Sequence, residues 1–66
     1  MNISKLKGKM RECNATYAEI AKSLGLSVAS FSNKMNGKSK FYINEIEILG
    51  NCLGLSDSEK IDIFLS

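Results

Sequence analysis

Sixty-six residues with no proline, histidine or tryptophan amount to one small domain, which buries only about 60% of its unfolded surface and has no room for a deep substrate cavity. Without histidine the commonest general base and the commonest metal ligand are missing, and no apolar run is long enough to cross a membrane. The net charge of +2 conceals a division: residues 1–40 carry eight basic and two acidic side chains (+6), residues 41–66 one basic and five acidic (−4).

Helical periodicity runs nearly end to end. Ile3, Leu6, Met10 and Cys13 share one face of a first helix, with Asn2 as its N-cap and Asn14-Ala15 as the break after it. Gly8 lies inside this helix and costs about 1 kcal/mol relative to alanine, so the helix depends on tertiary packing. Thr16-Tyr17-Ala18-Glu19 has the spacing of a capping box; it opens a second helix that turns Ile20, Ala21 and Leu24 inward and stops at Gly25. Ser27 caps a third helix, Val28 to Met35, with Phe31 and Met35 on its buried side and Asn36-Gly37 as its stop signal.

Lys38-Ser39-Lys40 is a polar, basic connection. A fourth helix covers Ile43 to Leu53, with Ile46, Leu49 and Leu53 inward, and ends at Gly54. Ser56-Asp57-Ser58-Glu59 repeats the capping-box spacing and opens a short fifth helix with Ile61, Phe64 and Leu65. No stretch alternates long enough to insist on a strand; Phe41-Tyr42-Ile43 is too short and isolated. The expected fold class is therefore all-α, five helices in one bundle over residues 1–66.

Cys13 and Cys52 lie 39 positions apart, without the paired spacing of a zinc site or redox motif. They can form one disulfide, but nothing indicates export: Met1-Asn2-Ile3-Ser4-Lys5 is no signal sequence. The favoured reading is two reduced, buried, small apolar residues in a cytoplasmic protein. No metal site and no cofactor is expected. A basic front and an acidic back suit a polyanion on one face, or are ordinary solvated helix surface; charge alone does not decide.

The most informative stretch runs from Thr16 to Gly37, two helices of about eight residues joined by a three-residue turn containing glycine, which sets such a pair at a steep angle. Ala21 is small enough for the third helix to cross close by. Gly25, four residues on, takes the dihedrals of the turn without steric cost. Leu26 plugs the angle, and Phe31 anchors the third helix to Ile20 and Leu24.

Together, Ala21 followed by Gly25, the Leu26-Ser27 after it and the closing Asn36-Gly37 resemble the helix-turn-helix of the phage repressor and Cro family. The resemblance covers most of the chain, since that family builds five helices of this order and length. It departs at Lys34, three positions after Phe31, where the family usually has an apolar residue; Met35 is apolar instead.

The resemblance implies a bundle of the lambda-repressor-like DNA-binding type with the helix-turn-helix at helices 2 and 3. It implies a sequence-specific transcriptional regulator of double-stranded DNA, a Cro-like repressor of phage or prophage acting in the bacterial cytoplasm. The third helix then enters the major groove. With Phe31 and Met35 inward, Val28, Ala29, Ser32 and Asn33 face out as base-reading candidates. Asn33 can pair with adenine, Ser32 can donate or accept, and Val28 and Ala29 can meet a thymine methyl. The blander alternatives are a solvated Asn33 and a Val28 at the edge of the core.

Phosphate candidates are Thr16 and Tyr17 at the start of the second helix, Ser27 and Ser30 at the start of the third, and Lys34, Asn36, Lys38 and Lys40 at and beyond its end. Lys5, Lys7, Lys9 and Arg11 either steer association or solvate the first helix. A homodimer through helices 4 and 5 on a palindromic operator is expected. Ile48, Ile63 and Leu65 either form its apolar patch or complete the core. The competing function is a protein-interaction module, an antitoxin or adaptor using the same scaffold. An enzyme acting on a small-molecule substrate is the least favoured, because the carboxylates lack a nucleophile, metal cluster or glycine-rich loop beside them.

Overall fold

The computed structural model describes residues 1–65; Ser66, the last residue of the expected domain, lies outside them. The described residues form five α-helices and no strand: α1 (Ile3–Glu12), α2 (Tyr17–Leu24), α3 (Val28–Met35), α4 (Ile43–Leu53) and α5 (Asp57–Phe64). Side chains start four of them. Asn2 Oδ1, Thr16 Oγ1, Ser27 Oγ and Ser56 Oγ accept from the amides of Lys5, Glu19, Ser30 and Glu59 at 3.1–3.2 Å, each satisfying a donor that has no partner within the helix. Glu19 and Glu59 complete two capping boxes by accepting from the amides of Thr16 and Ser56.

Four helices end in one way. After α2, Gly25 adopts φ 70°, its amide donates to the Lys22 carbonyl and the Leu26 amide reaches back to Ala21 at 2.8 Å. Gly37 and Gly54 play the same part after α3 and α4, and Asn14 does so after α1 at φ 54° without being glycine.

The core draws on every helix: Leu6 and Met10, Ile20 and Ala21, Phe31 and Met35, Leu49 and Leu53, and Ile63, with Leu55 from the last turn. Each large side chain so buried stabilises the fold by about 1.5–3 kcal/mol. Within this core α2 packs on α3 and α4, while α5 packs on α1 and α4. Aromatic edges link the pieces. The Phe31 ring meets Tyr17 at 5.1 Å and Phe41 at 6.1 Å, and Phe41 in turn meets Phe64 at 5.7 Å.

Two expectations need correction. In α5 the fully buried residue is Ile63, which completes the core, while Ile61 is exposed; Leu65, for which the sequence leaves both outcomes open, is exposed too. The reason is at the N-terminus: the Asn2 amide donates to the Ile63 carbonyl at 2.6 Å and Lys5 pairs with Asp62 at 2.9 Å, a seam that rolls α5 onto the Ile63 side. The cysteines are free but exposed rather than buried. Cys13 falls just past the last residue of α1, where the chain turns away at Asn14, and its thiol lies 3.6 Å from the Leu53 carbonyl. No helix among the described residues is long and apolar enough to cross a membrane.

Candidate nucleic-acid interface

α3 is divided lengthwise. Phe31, Lys34 and Met35 are buried, whereas Ala29, Ser30 and Asn33 are exposed and Val28 keeps 49% of its surface. Of the four base-reading candidates, Val28, Ala29 and Asn33 therefore lie on open surface. Ser32 is half-buried, with Asn36 Nδ2 3.5 Å from its hydroxyl. The face is made of small apolar and polar side chains, without a charge of its own.

The phosphate candidates fall into three places. Ser27 and Ser30 stand together at the start of α3, their hydroxyls 3.0 Å apart. At the start of α2 the Thr16 hydroxyl is committed to Glu19, donating to its carboxylate at 2.9 Å. Hydrogen bonds from the Thr16 amide and hydroxyl hold the Glu19 carboxyl below its ordinary range. The Tyr17 ring is half-buried against Phe31, so this residue belongs partly to the core. Asn36, Lys38 and Lys40 are exposed in the connection after α3.

Lys34 is the exception, and the expectation that it reaches a phosphate is corrected. Its side chain is only 8% exposed; its ammonium donates to the Lys40 carbonyl at 2.7 Å, pairs with Glu45 Oε1 at 3.1 Å and lies 4.6 Å from the centre of the Tyr42 ring. The physical cause is its register. Three positions after Phe31 a side chain points inward, and the lysine stem carries its charge through to a carboxylate on α4. The position is thus occupied as an apolar residue would occupy it, with the charge satisfied beyond.

Two residues left without a definite role acquire a setting. Lys7 and Arg11 line a shallow cleft of ≈ 220 Å³ together with Met10, Ala15, Thr16 and Tyr17, which puts two cations beside the start of α2. Their i, i+4 spacing shows that they share a face of α1, but only the cleft they line with Thr16 and Tyr17 shows what lies beside that face. Among the described residues Lys7, Arg11, Lys22, Lys38 and Lys40 make no ion pair, whereas Lys5, Lys9 and Lys34 are each tied to an acid of the back half. The basic front is therefore neutralised in part from within, and what stays free lies around the helix pair and its connections.

The architecture is that of a small all-helical protein with five helices. The chain belongs to the family described as "Protein of unknown function (DUF739)", whose model matches residues 1–65. No curated protein and no solved structure matches it.

Proposed function

We propose that this chain is a sequence-specific regulator of transcription that binds double-stranded DNA, a Cro-like repressor with a lambda-repressor-like bundle that seats α3 in the major groove. The observation that carries the reading is the lengthwise division of α3: an inward side locked by Phe31 and Met35, and an outward side of Val28, Ala29, Ser30 and Asn33 that the protein's own interior leaves uncovered. The resemblance of Ala21, Gly25, Leu26-Ser27 and Asn36-Gly37 to the phage repressor and Cro pattern supports it. Asn33 reads a base edge; Lys38 and Lys40, with Lys7 and Arg11 beside Thr16 and Tyr17, hold the phosphates on either side.

A homodimer completes the reading. One helix of eight residues buries too little for tight binding at physiological salt, whereas two on a palindrome about 34 Å apart suffice. The pairing surface comes from α4 and α5, where Ile43, Ile61 and Leu65 are exposed and Ile48 is half-buried. Such a regulator works in the cytoplasm of a bacterial host, on DNA and not on a small-molecule substrate.

Affinity for random duplex DNA, measured against salt, tests this directly. A log–log slope of about −0.9 per phosphate neutralised is expected, and a flat response rejects the reading in favour of a protein partner on the same face. On an operator selected from a random pool, Asn33→Ala is expected to cost about 1–3 kcal/mol and to relax preference at one base pair. Equal loss on every sequence would show that Asn33 does not read.

A further inference from the structure

The ammonium of Lys34 is the buried cation of the described residues, and every group it touches comes from the chain that follows α3. It donates to the Lys40 carbonyl at 2.7 Å, pairs with Glu45 Oε1 at 3.1 Å and stands 4.6 Å from the Tyr42 ring centre. The same Glu45 oxygen accepts the Tyr42 amide at 2.8 Å. One ammonium and one carboxylate therefore fix positions 40 and 42 against the end of α3. At the other end of the connection, the Gly37 amide donates to the Lys34 carbonyl at 3.2 Å and the Lys38 amide to Asn33 at 2.9 Å. The segment that carries the exposed Lys38 and Lys40 is pinned at both ends.

We propose that Lys34 is a positioning residue for phosphate contact: by clamping the Lys40 carbonyl and the start of α4, it pre-orders Lys38 and Lys40 so that the duplex backbone meets two fixed charges. This rests on the DNA-binding reading above. A free connection would have to lose backbone and side-chain entropy on binding, and a pinned one has lost it on folding. Stability alone does not account for the arrangement. A buried ion pair contributes little over an apolar pair of the same volume, and this position lies where a plain hydrophobic residue would fit.

The test removes both charges and keeps the volume: Lys34→Met with Glu45→Gln in one chain, which leaves an amide oxygen to accept from the Tyr42 amide. Two readouts are taken, the ¹⁵N order parameters of Ser39, Lys40 and Phe41 in the free protein, and the affinity for duplex DNA with its salt slope. A cooperative fold is expected to persist. Order parameters should fall from about 0.85 to below about 0.6, affinity about tenfold, and the salt slope by about one phosphate. Unchanged order parameters would show that Lys34 does not order the connection. A looser connection with unchanged affinity and slope would show that its order is irrelevant to the phosphates. If the double variant fails to fold, Glu45→Gln alone keeps the lysine and weakens the clamp; smaller losses in the same readouts support the role, and no loss overturns it. A salt-independent natural chain would reject DNA binding and this role together, while the order parameters still show whether the clamp orders the connection.

Discussion

The seam between α1 and α5 and the outer side of α3 both lie next to lysines, and they treat charge in opposite ways. Along the seam Lys5 meets Asp62 and Lys9 meets Glu59, so the basic face of α1 is partly cancelled by the acidic tail folded on it. Around α3 the charge is either withdrawn into the protein, as in Lys34, or left free in the connection, as in Lys38 and Lys40. A run of lysines in a sequence is therefore not yet a field. Lys5, Lys7, Lys9 and Arg11 alternate along the chain, but folding divides them into two that are paired and two that are not.

The largest effect should come from the residue on which the α3 side of this comparison depends. Phe31 is fully buried and joins Tyr17 on α2 to Phe41 in the connection. Phe31→Ala should cost about 3–5 kcal/mol, as deletion of a core aromatic does. That is comparable to the roughly 3–5 kcal/mol a core of this size supplies. The variant is expected to be largely unfolded at 25 °C by circular dichroism and to bind no DNA. A cooperative melt close to that of the natural chain would mean that α3 is held by other contacts.

Next in size is the contrast between a free and a paired lysine. Lys38→Ala should lower the salt slope of DNA binding by about one unit and weaken binding nearly uniformly across sequences. Lys5→Ala, which removes the partner of Asp62, should leave the slope within error and shift stability by no more than about 1 kcal/mol. If both variants change the slope alike, the partition of charge into seam and interface is wrong.

Much of this is legible in the sequence, for a reason that differs from element to element. The bounds of α2 and α3 and the end of α4 follow from residues that act within one turn: Thr16 with Glu19, Ser27 with Ser30, and the left-handed residues at Gly25, Gly37 and Gly54. Such signals are local and survive without knowledge of the fold. The rotation of α5 was not legible, because Ile61 and Ile63 stand on opposite sides of a helix of eight residues and either could face inward. Contact with the distant Asn2 and Lys5 selects between them. The burial of Lys34 is illegible in the sequence for a related reason. A lysine is ordinarily an exposed residue, and only the approach of Glu45, eleven positions on, makes its burial possible. The candidate site was therefore readable as a list of outward residues on α3, but not as a set of charges.

Within α1, Gly8 offers a milder probe of the seam. A side-chain carbon built there would meet nothing within 4 Å, and its backbone is ordinary helix. Gly8→Ala should therefore stabilise the protein by about 0.5–1 kcal/mol through the entropy of the unfolded chain, raising the urea midpoint without changing its slope. No gain would mean that α1 is limited by its contacts with α5 rather than by its own backbone.

The smallest expected effect concerns acid. The Lys9 ammonium, which pairs with Glu59, and the Ser56 amide hold the Glu59 carboxyl at about 2, below its ordinary 4.5, while the same pairing raises Lys9. The unfolded chain therefore takes up a proton before the folded one does. Whatever stability Glu59 contributes is fully present above about pH 4.5 and is lost as the pH falls toward 2. Glu59→Gln keeps an oxygen for the Ser56 amide and removes the charge, so between these limits its urea midpoint should fall less steeply with pH than that of the natural chain. The residual fall has a source in Glu19, whose carboxyl is lowered by Thr16 rather than by any lysine, so the variant's curve should flatten and not become level. Parallel acid limbs in the two proteins would mean that the α1–α5 seam is solvated charge and that only the backbone bond from Asn2 to Ile63 and the apolar contacts hold it closed.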